Sequence, residues 1–381
     1  MALFWAILIL LLLALLEGGS AVFLHFVGTS SAHFLVWDPD LAAAHKTWVD
    51  AHGNWDDELG WPSPHDAVSP PRDASGAKLN KEFPQPGNAC ASAYGDSFIW
   101  GYGIPLQDGW IERLSHKLGC RVANYGVDGY GTDQAYVRFT RMTKDEAPVV
   151  MLGIFPENVM RNVNQYRGFL GFPQSPVWLK GRFVLDSAGK LQWIHRPQID
   201  ETGWERLLHN PASVIPHDYL LPDSHDGPVT VRFPYTLSLA RMLLMPRLWV
   251  RLTGRPSWAD FFHADHPSGA LALTVAIADA FARDAKQRGK HPLVVMLPGA
   301  SSFRARAKFG HPEYQPLLDA FAARHVDVFD PAPALLAALG RRSYCDLYIF
   351  PARCDGHFGV FGSTVVADVM AAELRRRGLV K

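Results

Sequence analysis

The stretch Ala89-Cys90-Ala91-Ser92-Ala93-Tyr94-Gly95-Asp96-Ser97-Phe98 decides how the rest of the chain is read. Ala89–Gly95 is short, small and apolar, as a buried strand is. Gly95-Asp96-Ser97 is a turn, and a helix-forming segment follows. Ligands of an open α/β sheet bind beyond the carboxyl ends of its strands. A serine at such a turn exposes its hydroxyl there and points its backbone N–H into the same crevice. Taken alone the triplet is weak: average composition yields one in about one chain in ten of this length, and Asp-Ser turns are common.

Outward from this point, apolar runs alternate with helical patterns. Arg121–Tyr125, Val149–Ile154, Pro292–Leu297 and Val326–Phe329 read as further strands. Trp110, Ile111, Leu114 and Leu118 make one stripe on a helix over 107–118. A helical pattern fills 268–289. A last helix over about 360–377 closes with Arg375-Arg376-Arg377 and then Gly378, cations and a glycine cap at its carboxyl end. Strands alternating with helices predict a parallel sheet covered on both faces. Residues 168–265 interrupt the pattern. They hold a hairpin with its turn at Asp186–Gly189, then many Pro, His and Trp residues and a helix near 236–252. They read as an insertion. Residues 28–88 lack periodicity and read as an extended lead with a short helix near Asp40–Val49.

Three later blocks give the serine its context. Asn124-Tyr-Gly126-Val-Asp-Gly129-Tyr-Gly131 follows the second strand, a loop whose glycines bring backbone N–H groups close to a ligand. Gly153-Ile-Phe-Pro-Glu157-Asn158-Val-Met-Arg161-Asn162 follows the third. Cys354-Asp355-Gly356-His357 precedes the last helix. In type and order the four blocks resemble the SGNH (GDSL-type) hydrolase family, over roughly Ala89 to Leu379 without the insertion. Two departures are visible. Asn158 stands five residues after Gly153 with no Asp beside it, and Asp355 lies two residues before His357 where the family's common spacing is three. The run Glu157–Arg167 looks like a membrane-anchored bacterial subgroup.

The resemblance implies a flavodoxin-like three-layer αβα fold with a five-stranded parallel sheet, plus the insertion. It implies a serine esterase that cleaves O-acyl esters of a carbohydrate or lipid. Ser97 would be the nucleophile, His357 its general base and Asp355 the group that orients the imidazole. The chemistry needs these types, since a serine hydroxyl attacks only when a base takes its proton and the base needs a third group to fix its tautomer. The N–H groups of Ser97 and Gly129 and the amide of Asn158 would receive the oxyanion, with Asn162 as the fallback. Arg161, Asn162 and Tyr102 are candidates for substrate binding, although Trp100, Tyr102 and Tyr166 are equally plausible core aromatics. An O-acyltransferase acting on an extracytoplasmic glycan would use the same triad, and a non-catalytic binding module could keep the scaffold. No cofactor and no metal are called for. Asp223-Ser-His225 offers another Asp-x-His, but away from any strand-to-helix turn, and His263-Ala-Asp265-His266 reads as a surface turn. The absence of G-x-S-x-G excludes the usual nucleophile elbow.

The 381 residues carry 37 Lys+Arg against 37 Asp+Glu. That balance argues against a nucleic-acid partner. Apolar residues crowd the first 27. Ala2–Leu16 is free of charges and breakers, and with residues up to Val27 it is long enough to span a bilayer. An anchor with Glu17 at its outer end and a signal peptide cleaved near residue 20 both fit, the missing basic leader favouring the anchor. Either exports the domain at 89–381, facing the periplasm or another extracytoplasmic space, or secretes it. Four cysteines without a CxxC fit an oxidising compartment. Cys90–Cys120 and Cys345–Cys354 are the expected pairs, with free buried thiols the alternative.

Overall fold

A computed structural model describes residues 1–30, 32–40, 56, 58–61, 72–142, 144–171 and 178–381. The short helix expected near Asp40–Val49 lies largely outside the described residues. The chain forms two compact units, each assembled from separated segments. One holds 62–162, 182–193 and 258–381; the other holds 1–61, 163–181 and 194–257. The stretch 168–265, set apart by the sequence, thus contributes to both. Its hairpin, Arg182–Leu185 with Leu191–Ile194 around Asp186–Gly189, falls mostly in the first unit.

The first unit is built on five parallel strands: β1 (Ala91–Tyr94), β2 (Val122–Asn124), β3 (Val149–Ile154), β4 (His291–Met296) and β5 (Val328–Phe329). Their spatial order is β2-β1-β3-β4-β5, the flavodoxin-like order. The centre is set by β3, whose six residues are all buried. A near-continuous apolar run suits a strand covered on both faces. Trp110–Leu118, Ala332–Leu339 and Val360–Arg376 pack together on one side, against Val149, Met151, Leu293 and Val295. Thr132–Arg141 and Ala270–Gln287 pack together on the other. The strand order reverses at β1, so the crevice at the ends of β1 and β3 is where a ligand site belongs.

In the second unit an unbroken helix of 28 residues, Ala2–Thr29, leads the chain. Only Ser20, Leu24 and Val27 of this helix are buried. Leu24 and Val27 join Phe34, Leu35, Val36, Val229, Met242 and Met245 in a small core. Val36–Trp37 pairs in parallel with Val229–Thr230. Trp37 donates its indole N–H to the Leu208 carbonyl at 3.0 Å and meets Tyr166 and Phe169 edge-on. The helix expected near 236–252 is in fact two, Tyr235–Leu244 and Pro246–Leu252. Proline at 246 cannot donate to a continuing helix and holds Met245 extended. Glu17 does not mark the end of the apolar helix. Its carboxylate accepts from the N–H groups of Tyr235 and Thr236 and from the Thr236 hydroxyl, capping the first of those two helices.

Both expected disulfides form, Cys90–Cys120 and Cys345–Cys354.

Candidate active site

Strand β1 ends in a buried turn. Asp96 caps the short helix Ser97–Trp100, its Oδ1 accepting the Phe98 N–H at 2.9 Å. Behind this helix, Asn124 donates to the Ile99 carbonyl at 3.0 Å and accepts from the Gly126 N–H. The far end of the helix is held by the Lys78 ammonium, which donates to the Trp100 carbonyl. Ser97 is therefore fixed from its own turn and from the glycine loop after β2.

His357 reaches Ser97 from the other end of the sequence. Its Nε2 lies 2.7 Å from Ser97 Oγ, a hydrogen bond across 260 positions. It stands on the second strand of a small antiparallel hairpin, Tyr348–Phe350 with Asp355–Phe358. The Cys345–Cys354 disulfide ties the start of that segment to the residue preceding Asp355. Gly356 sits at φ 94°, and a Cβ there would come within 2.5 Å of Ile349 Cγ1. Glycine is required on both counts. The imidazole is flanked by Phe98 at 4.8 Å and Tyr102 at 5.1 Å between ring centroids. Burial pushes the His357 pKa down to about 4; Arg161 lowers it further, while Glu157 and Asp355 oppose the shift. At neutral pH the ring is uncharged, the form able to take a proton.

Asp355 is placed differently from the expectation. It is exposed, and its Oδ1 accepts from the Gly356 N–H at 2.8 Å. Among the described residues no hydrogen bond joins it to His357. Its carboxylate is turned to the Gly356 N–H instead. Phe98, Tyr102 and the Ser97 hydroxyl are the neighbours that meet the imidazole.

Asn158 follows β3, as the nucleophile turn follows β1. It is fully buried and begins the helix Asn158–Arg161. Neither its Nδ2 nor its Oδ1 has a hydrogen-bond partner among the described residues. A buried amide with neither end satisfied is rare and costly. Gly129, in the loop after β2, has φ 74°, a left-handed turn that glycine adopts freely.

Arg161 and Asn162 are engaged within the protein. Arg161 is buried, with Asp96 at 3.4 Å, Glu157 at 3.1 Å and the Tyr130 carbonyl at 3.0 Å. Burial disfavours its charge, but Glu157 and Asp96 outweigh that and raise its pKa. Burial likewise pushes Asp96 up to about 6, against the pull of Arg161 and the Phe98 N–H. Asn162 accepts from the Asp133 N–H and donates to Thr274 Oγ1, so its amide ties helices together. Of the three substrate-binding candidates only Tyr102 is open, with 48% of its surface exposed. Tyr166 is a core aromatic of the other unit. The alternative Asp223/His225 pair does not form: His225 meets Asp226 at 3.0 Å and Asp223 meets Arg232. His266 bonds Ser268 and packs on Phe261. Glu157 and the Cys345–Cys354 closure are contributors that sequence reasoning had not tied to the site. The four-residue spacing of Glu157 and Arg161 on a helix was the available signal for the first.

No family model and no curated protein sequence matches the chain. Solved structures do. A protein described as a G-D-S-L family lipolytic protein, from Desulfitobacterium hafniense, is 12% identical with a TM-score of 0.36, over 74% of this chain and 97% of its own. A member of the lipolytic protein G-D-S-L family from Veillonella parvula is 12% identical with a TM-score of 0.34, over 75% and 98%. An acetyl xylan esterase from the rumen bacterium Butyrivibrio proteoclasticus is 9% identical with a TM-score of 0.33, over 76% and 64%. Two of these structures are described as lipolytic proteins of the G-D-S-L family and the third as an acetyl xylan esterase, and at these identities the chemistry of the site rests on its own geometry.

Proposed function

We propose that the protein is a serine ester hydrolase of SGNH type. The observation that carries this reading is the 2.7 Å contact between His357 Nε2 and Ser97 Oγ, made by an uncharged imidazole. His357 would take the Ser97 proton as Oγ attacks the ester carbonyl. The tetrahedral oxyanion would be met by the Ser97 and Gly129 N–H groups and by the Asn158 amide, whose unsatisfied Nδ2 is suited to a ligand oxygen. His357 would then return the proton to the departing alkoxide, leaving an acyl group on Ser97. Water, deprotonated by His357, would release the acid. Asp355 contributes its charge, which raises the basicity of His357, without a direct hydrogen bond. The substrate class is an O-acyl ester of a carbohydrate or lipid.

The reading places the protein at a membrane and outside the cytoplasm. The N-terminal helix is long and apolar enough to cross a bilayer and exposes most of its side chains. The paired cysteines suit an oxidising compartment.

The full chain in detergent should hydrolyse 4-nitrophenyl acetate, and Ser97→Ala should abolish hydrolysis while leaving the circular dichroism spectrum unchanged. Equal rates for the two proteins would sink the assignment.

A further inference from the structure

The helix Ala2–Thr29 stays apolar and exposed well past Glu17, since Val22, Phe23 and Phe26 are all open. At a rise of about 1.5 Å per residue, the stretch from Ala2 to Phe26 is about 36 Å long. That exceeds the roughly 30 Å hydrocarbon core and reaches the headgroup boundary. The same level of the helix carries a neighbour. Glu17 caps Tyr235–Leu244 at its start, and Leu24 and Val27 share a small core with Met242 and Met245. The helix pair therefore lies alongside the outer third of the span.

Its composition matches that position. From Gly227 to Ala259 there are five arginines and no Asp or Glu; Arg247 is buried and Arg232 pairs with Asp223, while Arg241 and Arg251 are exposed. Phe233, Leu244, Trp249 and Leu252 are 73%, 78%, 57% and 66% exposed. Exposed leucines and a tryptophan on short helices, led by an exposed phenylalanine and with arginines beside them, make the pattern of a segment lying in a membrane interface. Arg241 shares a helical stripe with Leu237 and Leu244, and its long stem lets the guanidinium rise to a phosphate while the leucines stay submerged. The capping by Glu17 also removes an objection to a carboxylate at this depth, because its oxygens are already bonded to the two N–H groups and the hydroxyl.

We propose that Tyr235–Leu244 and Pro246–Leu252 form a second membrane-contacting element, docked on residues 17–27 of the span at the bilayer interface, with a phospholipid surface containing anionic headgroups as its partner. The proposal rests on the reading of Ala2–Thr29 as a membrane anchor. The consequence is that this unit is seated on the bilayer, rather than tethered to it at one point. Apolar exposure continuous with the span, together with the exposed Arg241 and Arg251, favours lipid over a second copy of the chain.

The test uses the full chain carrying the photoreactive residue p-benzoylphenylalanine in place of Leu12, Leu244, Leu252 or Glu205, one at a time. Glu205 is an exposed control on the helix Glu201–His209 of the same unit. Each protein is reconstituted in vesicles of phosphatidylethanolamine and phosphatidylglycerol, illuminated, digested and analysed for lipid adducts by mass spectrometry. Adducts at Leu244 and Leu252 should lie within about threefold of those at Leu12 and about tenfold or more above Glu205. Adducts at Leu12 alone would overturn the second contact and leave the anchor standing. Protein–protein cross-links at Leu244 and Leu252 would overturn it in favour of self-association. No adduct at Leu12 would remove the anchor and the proposal together.

Discussion

Replacing Asn158 by Leu should separate catalysis from stability in opposite directions. Both side chains branch at Cγ into two heavy atoms, and the site is fully buried. In the free protein both amide atoms lack partners among the described residues, so the wild type bears the desolvation of an unsatisfied polar group, about 1–3 kcal/mol. Leucine removes that cost and makes apolar contacts, so stability should hold or rise by about 1 kcal/mol. Catalysis should move the other way. Losing one oxyanion donor costs about 2.7–4 kcal/mol of transition-state stabilisation, a fall of about 10²–10³ in kcat. The loss should appear in kcat with KM little changed, because the amide meets the oxyanion and not the ground-state carbonyl. Steady-state hydrolysis of a 4-nitrophenyl ester and thermal melting on the same preparations read both quantities. A kcat within twofold of wild type would refute the oxyanion role. A melting temperature lowered by many degrees would show that the amide is structural.

Four further outcomes follow from the same geometry. Because burial holds His357 near a pKa of about 4, the base is uncharged over most of the acid range. Activity in kcat/KM should therefore persist to about pH 4, below the 6.5 of a free imidazole, and an acid limb near 6.5 would contradict the burial. The linkage has a definite sign. A histidine whose folded pKa is depressed binds fewer protons folded than unfolded between about 4 and 6.5, so its contribution to stability is lost as pH falls through that window. His357→Gln should flatten that part of the stability profile measured by urea unfolding. Asp355→Asn should reduce kcat by about tenfold or less, against about 10⁴ where a carboxylate fixes the histidine tautomer; a loss near 10⁴ would show a direct bond in the working enzyme. Cys345→Ser with Cys354→Ser opens a loop of nine residues, which should cost about 2–3 kcal/mol of stability and lower kcat, because the hairpin carrying His357 is no longer closed; unchanged melting would contradict this.

Much of the sheet was legible in the sequence because burial on both faces leaves a readable trace. Val149–Ile154 has the predicted bounds, since an unbroken apolar run with breakers on both sides allows few alternatives. Val326–Phe329 shrinks to Val328–Phe329, an edge strand with one neighbour. The hairpin carrying His357 was not foreseen: Tyr348–Phe350 is three residues long and Pro351 follows at once. Ser97 and His357 could be matched only by the order of motifs, because nothing local links positions 260 apart. The isolation of the Asn158 amide is a property of its surroundings and leaves no mark on the chain. The partners of Glu17, Tyr235 and Thr236, lie 218 and 219 residues away, so its capping role leaves no local signal. Arg161 and Asn162 carry polar groups that could bind substrate, yet Asp96, Glu157, Asp133 and Thr274 occupy them.

The most direct measurement is covalent. A fluorophosphonate probe reacts with a serine only where a base activates it and donors receive the developing charge. Incubated with the folded full chain and followed by peptide mass spectrometry, it should modify Ser97 alone, and Ser97→Ala and His357→Gln should each abolish the adduct. A folded protein left unlabelled, or a label retained in Ser97→Ala, would contradict the catalytic assignment.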